Sequence, residues 1–592
     1  LRALFILGLA ILAAGMLYAP ELDHPFLWDD NVQIAENPAV TDGVPWTRYF
    51  LDRDTTSTRK DYNTRIYRPL RNLALRALWR FGARSPTHHA YVFHLASLVL
   101  YLLAGVLVFL LARRLAQDEV AAALGAGVWL LLPVHAEDIL YASAFGDVLS
   151  MVLQLGGLLC ALRALDEPSR RRGEVIASVL LFALAIFVKE MAVTSVLLLP
   201  AYIASERWPL ADKSLRRRAL VLIALHAIVA LAYLLLRTSL LGRVGQDEVS
   251  WFTLGWAFAQ LPRLVLFNLQ VTLMPLGHSP DYGGPFRSAL LAVISAAALG
   301  TALWLALRRS MNGLRFGALL FVLALAPVLQ ILPMWTLLAD RFLLVPSVGI
   351  ALLLAALIKG VSSVPYGRLF AIGAVILFGT VSAAGLTIER RRFQDELTFW
   401  TYAIASVDDS ALAHQNLGVD YLKHQQPKVA LSELVRSYQL GRRESRLLLF
   451  MATGFEGIGN FGKAEQAVRE SIALDANLPI AYAQLASILR HRGDAAGAAS
   501  AISEGERRGL PPYLVAKERA SELRADPSKQ EAALHALRLL ARENRGDPTV
   551  WAELGEVALR LGLRDEAMDA AKHCGALPAC VLLGETLEQK TP

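Results

Sequence analysis

The strongest constraint on this chain is a change of character near residue 388. Apolar runs of roughly 20 residues recur before that point, and none follows it. A run of that length lets an α-helix cross the hydrocarbon core, where only internal hydrogen bonds satisfy the backbone. Runs fall at about 1–19, 91–112, 120–134, 147–163, 174–188, 190–205, 219–238, 288–307, 315–333, 342–358 and 369–388. The first has no small-residue cleavage site and reads as an uncleaved span. Composition agrees: 592 residues at 55% hydrophobic and 19% charged are too apolar for a soluble protein and too charged for a membrane domain throughout.

The stretch 174–205 exceeds one helix and is interrupted only by Lys189-Glu190. Each charge at mid-membrane costs about 2.5–3.5 kcal/mol, so a helical hairpin with the pair at its tip is expected. Arg113-Arg114, Arg170-Arg171-Arg172, Arg216-Arg217-Arg218 and Arg308-Arg309 mark cytoplasmic turns by the positive-inside rule. Asp29-Asp30, His135 with Glu137, Lys189-Glu190 and Asp340-Arg341 then share the opposite face. Treating 251–275 as an interfacial or re-entrant helix keeps this alternation and adds Asp281-Tyr282 to that face. Arg390-Arg391-Arg392 falls there too, against the rule. Ionisable residues held near a bilayer usually mark a working site.

Beyond Glu389 a period of about 34 residues appears. Small residues recur at Ala430, Ala464, Ala498, Ala533 and Ala567, and Gly459, Gly493 and Gly562 fall where paired helices turn. Gly418 and Gly555 each lie twelve positions before one of these alanines. This is the tetratricopeptide pattern, with a degenerate repeat at 513–540. Stacked helix pairs bury one face against their neighbours and leave a concave groove suited to extended peptide.

The expected fold class is therefore all-α. A polytopic transmembrane helical domain of about 11 spans covers 1–388, with 21–90 as its first extracytoplasmic loop. A linker helix covers 389–410, and a tetratricopeptide-repeat superhelix covers 411–592. The net charge of +7 is not gathered on one helix or tail, which argues against nucleic acid and for a lipid bilayer as partner. No phosphate-binding glycine loop, GxSxG elbow or HExxH motif is present. Three cysteines make no framework, and Cys574 and Cys580 would pair only in an oxidising compartment. His135 and Glu137 could both reach a divalent metal, but their spacing supplies too few ligands to support one, so no cofactor is assigned.

The order of motifs resembles the C-type (GT-C) membrane glycosyltransferases, most closely the transmembrane and tetratricopeptide-repeat O-mannosyltransferases and their bacterial relatives. The resemblance is carried by Phe26-Leu27-Trp28-Asp29-Asp30 with Asn37-Pro38, Tyr67-Arg68-Pro69-Leu70, His94, and Pro133-Val134-His135-Ala136-Glu137. It continues through Lys189-Glu190, Pro275 with Asp281-Tyr282, Ile331-Leu332-Pro333, Asp340-Arg341-Phe342, Pro346-Ser347 and Trp400. It implies inverting transfer of a sugar from a polyprenyl-phosphate donor, with Asp29 or Asp30 as the base on the acceptor hydroxyl. Arg68, His135, Lys189 and Arg341 would surround the donor phosphate. Trp28, His94, Glu137, Glu190, Asp281, Tyr282 and Asp340 would support them. Ser97 and Tyr101 stand where relatives commonly carry Asn and a second His, and Asp340 where many carry Glu.

The acceptor implied is Ser or Thr of a protein or peptide held in the repeat groove. A lipid or polysaccharide acceptor, with the repeats recruiting a partner, is the alternative; a non-catalytic anchored scaffold is the third. Ala-, Leu- and Arg-rich composition points to a bacterial inner membrane, with the site and repeats periplasmic.

Overall fold

The computed structural model describes residues 1–58, 66–82, 89–166, 171–207, 212–242, 251–282, 313–329, 338–362, 364–543, 547–574 and 580. It is all-α and divides into two compact units, Leu1–Ala413 and His414–Pro592.

In the first unit, five described helices are long and apolar enough to cross a membrane: Arg2–Glu21, Ala90–Ala116, Ala142–Asp166, Lys213–Leu241 and Gly367–Phe393. Glu119–Leu130 and Pro133–Leu140 make a sixth if taken as one span bent by 54°. Leu314–Val328 and Ser347–Gly360 are shorter apolar helices. The predicted count of about 11 is not reached among the described residues. The predicted span at 288–307, the Arg308-Arg309 cluster and Ile331-Leu332-Pro333 lie outside them.

One predicted span takes another form. Residues 190–205 do not make a single α-helix: Glu190–Leu197 is a 3₁₀ segment, followed by a short helix Leu198–Tyr202 and a π-turn. The β-branched Val193, Thr194 and Val196 are stiff at χ1 and poor helix formers, and Pro200 removes a backbone donor. Residues 251–275 do form a helix, Trp251–Leu273, with Pro262 inside it.

Small residues allow the membrane helices to approach closely, as lipid-embedded bundles require. A Cβ on Gly125 would lie 2.5 Å from the Ala351 carbonyl oxygen, and one on Gly349 2.4 Å from that of Gly317. The tightest contact is at Gly385, where a Cβ would meet the Pro275 carbonyl oxygen at 2.0 Å. Backbone cannot turn aside as a flexible side chain can. Gly385→Ala should therefore lower stability by about 1–3 kcal/mol. The thermal midpoint of the detergent-solubilised protein reads this. Gly373→Ala, on the same helix with nothing within 4 Å of its Cβ, should leave the midpoint unchanged.

The second unit is the repeat superhelix. Ala430, Ala464, Ala498, Ala533 and Ala567 are all buried, as the 34-residue period predicts. Gly418 explains one close helix pairing, since a Cβ there would fall 2.7 Å from Leu434. Gly459, Gly493 and Gly562 turn with φ of +76°, +83° and +77°, a region other residues seldom enter. Asn460, Asp494 and Asp547 cap the helices that follow them. The degenerate repeat keeps both helices, Pro512–Ala525 and Gln530–Glu543, but joins them through the 3₁₀ turn Pro527–Lys529 in place of a glycine. Gln484 bonds to Thr453 and Glu456, Arg490 to Glu518, and Arg524 to Glu556, which links the first helices of successive repeats by polar contacts. Cys574 and Cys580 are joined as a disulfide.

Candidate active site

The polar turns assigned to one face in sequence meet one another in the first unit. Asp30 bonds to the 142–143 turn, Glu137 to Arg341, Lys189 to Asp147, and Glu190 to Arg68. Residues up to 204 positions apart are thus brought into direct contact.

The two adjacent acids have different surroundings. Asp30 is fully buried. Its Oδ2 accepts backbone N–H groups from Leu27 at 3.1 Å and Ala142 at 3.3 Å, and its Oδ1 accepts that of Ser143 at 2.7 Å. Burial pushes its carboxyl up to about 7, against the pull of those donors. Asp30 therefore clasps the first loop to the 142–143 turn. Asp29 is partly exposed, and its charge acts on Arg341 and Arg71.

The loop bearing this pair is stapled from both sides. Asn37 donates to the carbonyls of Gln33 and Thr55, each at 3.1 Å, and accepts the Ala39 N–H at 3.0 Å. Buried Arg71 reaches Gln33 at 2.8 Å. Trp28 takes a left-handed φ of +44°, which costs a non-glycine residue about 1–3 kcal/mol and persists only where neighbours enforce it. Its ring lies between Tyr141, nearly parallel with centroids 6.2 Å apart, and Trp400, edge-on at 5.0 Å.

The cations are all engaged. Arg68 holds Glu190 with two parallel bonds of 2.7 and 2.8 Å, a geometry only a guanidinium offers. Lys189 pairs with Asp147 rather than with its neighbour Glu190. Arg341 pairs through Nη1 with Glu137, whose other oxygen accepts the Arg341 backbone N–H at 3.3 Å. Burial opposes the Arg341 charge, but Glu137, Tyr141 and Asp29 hold its proton more firmly than usual. One cleft collects Arg341 and the Lys189–Asp147 pair with polar Ser150, Gln154 and Ser195 and with apolar Leu198, Val328, Phe342 and Leu344, so its cations outnumber its one carboxylate. Such a lining suits a ligand with an anionic head and an apolar body.

Two predicted residues are occupied elsewhere. His135 is fully buried, with Nδ1 2.8 Å from the Tyr101 hydroxyl and Nε2 2.8 Å from Ser347 Oγ, so both nitrogens serve helix packing. His94 Nδ1 lies 2.9 Å from the Leu22 carbonyl, and its ring stacks on His24 at 4.0 Å.

Asp281, Tyr282 and Asp340 converge on a separate buried clasp. Asp340 accepts from Arg392 at 2.6 Å and from the Tyr282 hydroxyl at 2.6 Å, with His278 Nδ1 at 3.4 Å. Arg392 also faces Glu389 at 3.5 Å, and Glu389 accepts from Gly277 and Tyr402, each at 2.7 Å. Asp281 accepts the Ser410 hydroxyl at 2.6 Å. Burial works to raise the Asp340 carboxyl, but His278 and Arg392 outweigh it and hold it below the usual range; Asp340 in turn lifts His278. The Arg390-Arg391-Arg392 exception to the charge rule is explained here: Arg392 is buried in this clasp and Arg390 bonds to the Leu17 carbonyl. That exception and the Asp281, Tyr282 and Asp340 motifs were the sequence signals for the clasp. His278, Glu389 and Glu396 carried none. Among the described residues no cluster of three or more His, Cys, Asp or Glu could hold a metal ion.

No family model matches the chain. Among curated proteins it is 27% identical over 186 residues to a Drosophila melanogaster protein O-mannosyl-transferase, Tmtc1, covering 31% of this chain and 21% of that one. It is 27% identical over 284 residues to Tmtc2 of the same organism, covering 46% of this chain and 29% of the relative. The chain thus matches less than a third of the length of either. Similar solved structures include a thermophilic TPR protein of Thermus thermophilus, with 17% identity, a TM-score of 0.28, and coverage of 30% of this chain and all of that one. Yeast Tom70 is 12% identical with a TM-score of 0.26, over 75% of this chain and 91% of that one. Over part of its length, then, this membrane-and-repeat chain is similar in sequence to the transmembrane and tetratricopeptide-repeat O-mannosyltransferases.

Proposed function

We propose that the chain is an integral membrane glycosyltransferase. It moves a sugar, mannose by likeness to its curated relatives, from a polyprenyl-phosphate donor to a Ser or Thr hydroxyl of a protein. The observation that carries this reading is the cleft holding Lys189 and Arg341 beside apolar side chains, with Asp29 acting on Arg341.

The chemistry runs as a single displacement with inversion. The acceptor oxygen attacks the anomeric carbon as its proton passes to the Asp29 carboxylate. The bond from that carbon to the phosphate oxygen breaks, and its electron pair leaves on the polyprenyl phosphate. Lys189 and Arg341 stabilise the developing phosphate charge. Asp30 keeps the loop in place, and Arg68, locked on Glu190, braces the neighbouring turn. The apolar side chains of the cleft accept the start of the lipid chain. The repeat array presents the acceptor segment. The Cys574–Cys580 disulfide favours an oxidising compartment for the repeats, which supports an extracytoplasmic, periplasmic setting.

The test is transfer of label from a mannosyl polyprenyl phosphate to a Ser/Thr peptide by the purified chain in lipid nanodiscs. Label is expected in the peptide fraction; label only in lipid or glycan would transfer the assignment to that acceptor, and none in any fraction would refute the enzyme. Arg341→Lys keeps the charge opposite Glu137 but loses the planar fork. It should raise the KM for the donor about tenfold with the thermal midpoint nearly unchanged.

A further inference from the structure

The helix Glu396–Ser406 touches the Asp29 loop through two side chains one turn apart. Glu396 Oε1 accepts the Trp28 backbone N–H at 2.9 Å and the Asn31 Nδ2 at 3.2 Å. Four residues on, Trp400 is buried edge-on against the Trp28 ring at 5.0 Å. The i and i+4 positions lie on one helix face, so a single rigid element grips both the backbone and the side chain of Trp28. Trp28 is also the residue held at φ +44°. Its own carbonyl begins the peptide bond to Asp29, so the orientation of that peptide sets where the Asp29 carboxylate points.

We propose that Glu396 is a positioning residue, holding Trp28 in its left-handed conformation so that Asp29 faces the acceptor hydroxyl beside Arg341. This rests on the reading of Asp29 as the base. Glu396 is 368 residues from Trp28 in the chain and touches no reacting atom. The Trp28 N–H and the Asn31 amide both donate to Oε1, and the amide oxygen of Gln retains such an acceptor. The helix does not depend on Glu396 for its start, because Asp395 caps it by accepting the Thr398 N–H at 2.7 Å.

The experiment compares wild type, Glu396→Ala and Glu396→Gln as the full chain in nanodiscs. Two readouts are taken: steady-state transfer from mannosyl polyprenyl phosphate, and amide hydrogen exchange of a peptide spanning 22–31. In Glu396→Ala, kcat should fall about 100-fold with the donor KM within about twofold, because a displaced base loses rate and not donor binding. Exchange at Trp28 should quicken. Glu396→Gln should match wild type in both. Wild-type kcat in the Ala variant, unchanged exchange, or a Gln variant as slow as Ala would overturn the positioning role while leaving the enzyme standing. A wild type that transfers no sugar refutes the enzyme reading, and this proposal with it.

Discussion

Asp29→Asn is expected to cut sugar transfer by roughly 10²–10⁴-fold while leaving the thermal midpoint of the solubilised protein unchanged. The amide keeps the size of the carboxylate and cannot take up the acceptor proton. Asp29 is partly exposed, whereas Asp30 is fully buried, and an isosteric amide at position 29 leaves the packing volume of the loop as it is. The neighbouring variant should behave in the opposite way. Asp30 uses both oxygens on three backbone N–H groups. In Asp30→Asn one of those positions becomes an NH₂ facing an N–H, which leaves a buried donor without a partner at a cost of about 1–3 kcal/mol. A lowered midpoint with residual transfer is the expected signature of Asp30→Asn. Full activity in Asp29→Asn would sink the assignment of the base, and equal loss of stability in both variants would sink the division of labour between them.

Arg392→Met should be the most destabilising single change outside the proposed site. Arg392, Asp340 and Glu389 have no exposed side-chain surface, and removing the cation strands two carboxylates in a low-dielectric interior. Breaking a buried ion pair from one side costs about 3–5 kcal/mol. Arg391→Met, at an exposed position next to it, should be silent. The clasp also predicts a pH window. Asp340 is held below its ordinary 3.8, so its contribution is complete above that value and is lost as pH falls through the lower folded value. His278 is held above its ordinary 6.5, so its contribution is complete below 6.5 and is lost as pH rises through the higher folded value. Wild-type stability should fall on both sides of this window; in the Met variant the acid-side loss should weaken, because Arg392 helps hold Asp340 down, while the alkaline-side loss should persist, because Arg392 opposes the His278 charge. Thermal midpoints of both proteins from pH 3 to pH 9 on the order of one-unit steps would check this.

The repeat array was legible in sequence because its information is local and repeated. One small residue every 34 or so positions, and glycines where helices turn, report contacts made within one helix pair or with the next. Five of the predicted membrane spans were legible for a related reason, since apolar length is a property of a continuous segment. Where a segment's conformation competes with its hydropathy, as at Glu190–Leu197, length alone misjudged it.

The gathering of charged turns was also anticipated, because charges must sit at one face or the other of a bilayer. Their pairing was not. Sequence put Lys189 beside Glu190, yet the fold joins Lys189 to Asp147 and Glu190 to Arg68, 122 residues away. Family likeness offered Asp29 and Asp30 as equals, and only burial separates the acid that clasps backbone from the one left partly open. It grouped His135 with the phosphate ligands, while packing commits both its nitrogens to Tyr101 and Ser347. The amino-acid order alone determined which segments are helical, which are apolar, and which turns carry charge. The tertiary structure decided which charges meet and which are buried, because those outcomes depend on distance and dielectric between residues that the chain itself keeps far apart.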